Sequence, residues 1–155
     1  LKAAQDAGVN PIALSENCEL TLGGARLLID VANEDDYGAD EENDFSLIVS
    51  LRFGETRFLF AGDAEEARIN ELLVEGDLAH DVLKVPHHGK KHDNNAAFFQ
   101  AVSPRYAVIT SSDDDPEKEE IVRLLEEAGA TVLLTRLGDV TITSDGTNLT
   151  VTQAG

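Results

Sequence analysis

The sequence predicts an α/β fold, a mixed β-sheet with flanking helices, formed by one domain or fragment over residues 1–155. Glycine-containing turns join apolar runs into hairpins in the first half of the chain, which predicts antiparallel strands. In the second half, short apolar runs alternate with helical patterns, as they do in parallel sheets. Because the helices can all cover one face of such a sheet, we expect the other face to need a partner layer.

The first half is predicted to contain two β-hairpins with an acidic loop between them. The turns lie at Gly23-Gly24 and Gly54-Glu55, and each turn joins two runs rich in apolar residues. Seven of the twelve residues from 33 to 44 are acidic, which is typical of a solvated loop or a mobile segment. The four predicted strands cover residues 18–22, 25–31, 45–53 and 56–61.

The second half is predicted to alternate helices and strands and to end in a third hairpin, around Asp145-Gly146. The helix over residues 116–128 has the clearest pattern, because Asp115 can cap it, Pro116 suits its first turn and Gly129 can end it. The remaining predictions are helices over 64–75 and 95–102 and strands over 81–85, 105–109, 131–135, 140–143 and 148–152.

The composition limits the classes of partner. The formal net charge is −18, with 30 acidic and 12 basic residues, which argues against passive binding to nucleic acid through Lys and Arg. The negative charge is still compatible with an enzyme that binds a phosphodiester, if bound metal cations supply the positive charge at the site. The single cysteine, Cys18, rules out an internal disulfide and a cysteine-rich zinc cluster, and we expect it to be a small core residue.

The residues that carry the most chemical information follow two predicted strands. Asp63 ends the strand over 56–61, and the pair His87-His88 follows the strand over 81–85 and Pro86. A carboxylate and a neutral imidazole at neighbouring strand ends are ligands that Zn²⁺, Mn²⁺ or Fe²⁺ accepts. Because Pro86 and Gly89 turn the chain, both histidines can approach one site, where one ligates and the other orients it or donates a proton.

Simpler interpretations of these residues stay open. Asp63 can instead cap the next helix, since Glu66 follows three residues later as in a capping box. The histidines can belong to an ordinary surface loop, and the basic loop residues Lys90 and His92 contact either an anionic substrate or solvent. His80 has no evident partner in the sequence and is predicted to lie on the surface.

Four blocks of this sequence resemble the metallo-β-lactamase-fold hydrolases, and in particular the branch found as the C-terminal domain of ComEC-type competence proteins. The resemblance extends from about Leu20 to Val151. Its strongest blocks are Asn43–Val49, Phe58–Glu65, Asp81–Gly89 and Val102–Ile109.

The resemblance implies that the chain is the C-terminal half of a four-layer αββα sandwich with two divalent metal ions, Zn or Mn, in the intact parent domain. It implies that Asp63 bridges the metals and that His87 or His88 supplies a ligand or a catalytic imidazole. The implied activity is metal-dependent hydrolysis, phosphodiesterase- or nuclease-like, of a phosphodiester or ester such as DNA. The implied location is a membrane-attached extracytoplasmic or secreted domain.

The sequence departs from this family in ways that suggest a second function class. The H-x-H-x-D-H motif, which supplies most metal ligands in the family, is absent, so we expect a piece of a longer protein that is weak or inactive by itself. Lys90 replaces the usual serine. Asp115 stands where a histidine is usual, and it offers an oxygen ligand or a contact to substrate. The alternative is a non-catalytic binding or assembly domain. Expected partners are the rest of the parent chain or a second copy, bound through the uncovered sheet face.

Overall fold

A computed structural model describes residues 2–38 and 42–155. In these ranges it contains a seven-stranded sheet, a separate two-stranded sheet and helices that flank the larger sheet. The elements in chain order are α1 (Lys2–Asp6), β1 (Cys18–Leu22), β2 (Ala25–Asp30), β3 (Ile48–Phe53), β4 (Thr56–Phe60), α2 (Glu66–Glu75), β5 (Val82–Lys84), α3 (Asn95–Val102), β6 (Tyr106–Ile109), α4 (Glu119–Glu127), β7 (Thr131–Leu134), β8 (Val140–Ser144) and β9 (Leu149–Gln153).

The larger sheet is mixed, as predicted, and its strands follow one another in the order β1 to β7. The pairs from β1 to β4 are antiparallel, and the pairs from β4 to β7 are parallel. Gly23 (φ 59°) and Gly54 (φ 60°) occupy the two hairpin turns in the left-handed region that glycine tolerates best. The predicted α/β fold with a mixed sheet and flanking helices is therefore confirmed.

The three longer helices pack on one face of this sheet. Strands β4 to β7 are neighbours in chain order, and right-handed crossovers between such strands place every connecting helix on the same side. The residues of the shared core are almost completely buried. They include Leu59, Leu83, Ala107 and Ile109 from the strands and Ile69, Phe98, Phe99, Ile121 and Leu125 from the helices.

The β8–β9 hairpin lies against part of the opposite face of the sheet. Ile142 of β8 lines an apolar cleft of about 430 Å³ on this face, together with strand residues such as Leu22, Leu51, Phe58 and Phe60. The Leu22 side chain is 75% exposed and the Phe60 side chain 42%. The expectation that helices cover one face of the sheet only agrees with this arrangement.

The acidic segment differs from its prediction at its end. Residues 39–41 of the predicted loop lie outside the described ranges, and the strand predicted from residue 45 begins at Ile48. Before it, Glu42–Phe45 form a short 3-10 turn in which Asp44 is buried. The edge of the Tyr37 ring packs on Phe45 at a centroid distance of 4.9 Å. These contacts attach the segment to the domain, so a fully solvated loop was the wrong prediction for Asp44.

Helix α4 begins at Glu119, three residues later than predicted, and Asp115 does not cap it. The Asp115 backbone N–H instead donates to Ser112 Oγ at 3.1 Å. The preceding residues are held by Glu117, which accepts hydrogen bonds from Arg136 and Ser111. The Arg136 hydrogen bonds lower the pKa of Glu117 to about 2. No helix within residues 2–38 and 42–155 is long and apolar enough to cross a membrane.

Candidate metal centre

Asp63 and the two adjacent histidines meet at the carboxyl edge of the parallel strands. Asp63 follows β4 and the histidines follow β5, and these strands pair in parallel with Phe60 opposite Lys84. The His87 backbone N–H donates to the Gly62 carbonyl oxygen at 3.2 Å, which joins the two loops directly. Carboxyl ends of parallel strands are where binding residues of α/β proteins collect.

The histidine turn has an unusual backbone. His87 (φ 44°, ψ 48°) and His88 (φ 54°, ψ 24°) both adopt the left-handed conformation, which costs side-chain-bearing residues about 1–2 kcal/mol each. Gly89 follows at φ 75°, and a Cβ there would lie 3.1 Å from Ile109 Cγ2 and 3.3 Å from Glu117 Cβ. Consecutive strained residues persist where the surroundings hold them, and such strain concentrates at functional sites.

His88 faces Asp63 with a fixed tautomer. Its Nδ1 lies 2.7 Å from the Thr110 carbonyl oxygen, and since a carbonyl can only accept, Nδ1 carries the proton. In the neutral ring, Nε2 would hold the free lone pair, and Nε2 lies 3.5 Å from Asp63 Oδ1. A histidine that donates one ring nitrogen to a backbone carbonyl and offers the other is the usual arrangement of a metal-binding imidazole.

Lys84 positions the Asp63 loop. Its ammonium group donates to the Gly62 carbonyl oxygen at 2.6 Å and lies 3.5 Å from Asp63 Oδ1. Burial lowers the pKa of Lys84, and the neighbouring Asp63 carboxylate opposes this effect. The lysine therefore holds the backbone of the loop and partly balances the Asp63 charge. The Asp63 carboxylate does not cap α2, because Glu65 occupies the N-cap position without a side-chain cap bond.

His87 faces a different carboxylate. The His87 and His88 ring centroids are 6.3 Å apart, and the ring planes are inclined by 68°. His87 Nδ1 lies 2.9 Å from Glu65 Oε1, but among the described residues it has no partner with hydrogen-bond geometry. Burial lowers the pKa of His87, so its ring is neutral at pH 7 and keeps a lone pair.

A second cluster forms around His87. One ligand atom each from Glu65, His87 and His92 lies within 4.8 Å of the other two. The rings of His87 and His92 stack at a centroid distance of 5.8 Å. Sequence reasoning missed Glu65, although it lies only two residues after Asp63, and it left His92 as a contact for either an anionic substrate or solvent. The geometry instead groups both with His87.

The other residues that were predicted to contact a substrate, Asp115 and Lys90, lie in different surroundings. Asp115 and His88 line one cleft of about 340 Å³, together with Thr110, Ser111, Ser112 and Thr135. The Lys90 side chain is exposed, and its backbone N–H donates to the His87 carbonyl oxygen at 2.9 Å. A substrate that occupies this cleft would contact Asp115 and the outer edge of His88.

His80 was predicted to lie on the surface, and this prediction was wrong. Its side chain is buried at the opposite, amino end of β5. His80 Nδ1 donates to the Leu78 carbonyl oxygen at 2.9 Å, and Nε2 lies 2.7 Å from Ser50 Oγ. Both ring nitrogens are satisfied, which is the condition for burying a histidine at low cost.

The fold and these side chains define an α/β protein with candidate metal ligands at the carboxyl edge of its parallel strands. The chain is similar to ComE operon protein 3 of Bacillus subtilis (strain 168), at 29% identity over 98 residues. The aligned part covers 61% of this chain and 13% of that protein, so the chain spans a small part of the relative's length. No family model and no solved structure matches the chain. The similarity supports a relation to the ComEC-type competence proteins.

Proposed function

We propose that the protein is part of a metal-dependent hydrolase, phosphodiesterase- or nuclease-like, of the metallo-β-lactamase superfamily. The observation that carries this proposal is the pair of Asp63 Oδ1 and His88 Nε2, 3.5 Å apart at one sheet edge. An oxygen and a nitrogen donor of this kind suit Zn²⁺ or Mn²⁺. The relation to a ComEC-type protein supports the same class.

Each residue of the site has a role that follows from its contacts. Asp63 would hold the metal ions through its carboxylate, and His88 would hold one through Nε2. Bound divalent ions polarise a phosphoryl or carbonyl oxygen and supply hydroxide near neutral pH. Thr110 fixes the His88 ring, Lys84 fixes the Asp63 loop, and Asp115 borders the cleft beside His88.

Two ligands are too few for a tight site, because catalytic zinc sites use three protein ligands and a water. We infer that the rest of the parent chain supplies the others and covers the open sheet face. The much greater length of ComE operon protein 3 supports a larger parent. The same apolar face supports a second candidate, a non-catalytic binding or assembly domain that keeps the scaffold.

The test measures hydrolysis of a phosphodiester and of an ester by the parent-length protein, with Zn²⁺ or Mn²⁺ supplied. We expect Asp63→Asn to lower kcat by at least ~100-fold, because it removes a charged ligand and keeps the side-chain volume. Asp93→Asn is the matched control, since Asp93 is an exposed carboxylate of the neighbouring β5–α3 connection, and it should keep activity. Failure to hydrolyse either substrate with either metal would favour the non-catalytic candidate.

A further inference from the structure

We propose that Glu65, His87 and His92 form a second cation site that takes Zn²⁺ and is separate from the Asp63–His88 pair. The three side chains come from two connections: Glu65 lies between β4 and α2, and His87 and His92 both lie between β5 and α3. Each offers one ligand atom, and all three atoms lie within 4.8 Å of one another.

In the part of the chain that the structure describes, two buried histidine nitrogens lack hydrogen-bond partners, and a bound cation would supply a partner for both. Among the described residues, His87 Nδ1 and His92 Nε2 are inaccessible to solvent and have no hydrogen-bond partner. Buried polar atoms without a partner are destabilising, so a native structure that keeps two of them on neighbouring side chains calls for an explanation. A cation bound by both lone pairs removes this cost.

The donor set has the chemistry of a zinc site. Two imidazoles and one glutamate make up the ligands of one class of zinc centre, with a fourth position for water. Ligand atoms around tetrahedral zinc lie about 3.3 Å apart, as follows from bonds of about 2.0–2.1 Å. His87 Nδ1 and Glu65 Oε1 are already 2.9 Å apart, so small side-chain rotations complete the geometry.

Asparagine side chains hold the ligand-bearing loops in place. Asn43 Nδ2 donates to Glu65 Oε1 at 2.8 Å and orients the carboxylate. Asn95, which is 1% exposed, accepts from the His92 backbone N–H at 2.9 Å and donates to the Lys90 carbonyl oxygen at 3.1 Å. Hydrogen bonds to ligands and their backbone are what fixes a metal site before the metal arrives.

The expected role of this site is to cross-link the sheet edge. A zinc ion there would join the start of α2, the strained histidine turn and the loop before α3 into one rigid unit. The site does not depend on the proposed hydrolase function, because His87 and His88 face different carboxylates. Its failure or success in the test below leaves the hydrolysis experiment unaffected.

The test is calorimetric titration of the purified protein with ZnCl₂. We expect binding of one ion that is at least ~100-fold weaker in Glu65→Gln and in His92→Gln, since a lost ligand should cost more than a lost supporting residue. Asp93→Asn is the matched control, since Asp93 is an exposed carboxylate next to His92 and belongs to neither ligand set, and it should change the affinity by less than about 3-fold. Absence of zinc binding, or an equal loss in the Asp93→Asn variant, would overturn the proposal.

A second measurement keeps the test valid if a variant unfolds. In the unmodified protein, zinc should shift the ring-nitrogen resonances of two of the four histidines and leave the ring of buried His80 unchanged. Zinc should also raise the unfolding temperature, because a ligand at about 100 times its Kd stabilises a folded state by about 2.7 kcal/mol. If no histidine resonance shifts and the melting temperature stays constant, the site does not bind zinc.

Discussion

His80 illustrates how a single buried residue couples stability to pH. Burial lowers the pKa of His80 from its usual 6.5, with a further contribution from the positive charge of Arg57. A lowered folded-state pKa means that the unfolded chain takes up the proton first as the pH falls. The stabilisation contributed by neutral His80 is therefore complete above pH 6.5 and is lost below it, as the pH approaches the folded-state pKa.

His80→Gln tests this coupling. At about pH 7.5 the variant should lose about 1–3 kcal/mol of unfolding free energy, because the buried hydrogen bonds to Leu78 and Ser50 are broken or weakened. The difference between wild type and variant should shrink as the pH is lowered to about 5, as measured by urea unfolding. A difference that stays constant over this range would show that His80 does not titrate with folding.

The location of a single residue could be predicted where it depends on the local sequence and the order of the strands. It could not be predicted where it depends on a partner far away in sequence. Asp63, His87 and His88 follow strand ends, and the order of parallel strands brings such positions together. The partner of His80 is Ser50, 30 positions away, so no local pattern could reveal its burial. The cluster of Glu65 with His92 likewise exists only because the β4–α2 and β5–α3 connections meet at one edge of the sheet.

At the scale of an element, the start of helix α2 is capped from a distant part of the chain. Asp44 Oδ1 accepts from the backbone N–H of Glu65 at 2.9 Å and of Arg68 at 3.0 Å. The Arg68 N–H belongs to the third helical residue and is one that an N-cap side chain normally satisfies, whereas the Glu65 N–H is the one that the third residue's side chain accepts from in a capping box. The capping pattern at Asp63 was the local alternative, and the structure replaces it with a carboxylate more than 20 residues upstream of Glu65.

Asp44→Ala should therefore destabilise the protein by about 1–2 kcal/mol, the usual cost of a lost N-cap. Asp44→Asn should lose less, because an amide oxygen can still accept from both backbone groups. Asp36→Asn is the matched control, since Asp36 lies in the same acidic segment but is exposed, and its unfolding free energy should stay near wild type. Equal stability of Asp44→Ala and wild type in urea unfolding would contradict the capping role.

Helix boundaries shifted for a similar reason. The Glu117–Arg136 pair and the contact between the Lys118 N–H and the Gly89 carbonyl oxygen hold the residues before α4 outside the helix. Those contacts connect the Asp115 cleft to the histidine turn. Because they involve residues distant in sequence, the sequence pattern predicted the helix but not the residue at which it begins. Tertiary contacts override local propensity most easily at such ends.

At the scale of the whole molecule, the one-sided packing of helices leaves an apolar sheet face. Leu20 and Leu22 of β1 lie on the same face as Leu27 and Ala25, with which they pair, and are 49% and 75% exposed. Exposed apolar patches of this kind mark contact surfaces. The net charge of −18 opposes self-association but does not remove the apolar surface.

This arrangement predicts that the 155-residue protein self-associates through the β1–β4 face when no other chain covers that face. Leu20→Lys with Leu22→Lys should lower the mass observed by light scattering, because two charged groups would be desolvated at the contact. The unfolding free energy should change by no more than about 0.5 kcal/mol per substitution, as expected for exposed positions. Val74→Lys is the matched control, since Val74 is 86% exposed on α2 and lies on the helix side of the sheet. Equal masses for wild type and the double variant would show that this face does not join two copies, and the parent chain would then be its remaining proposed occupant.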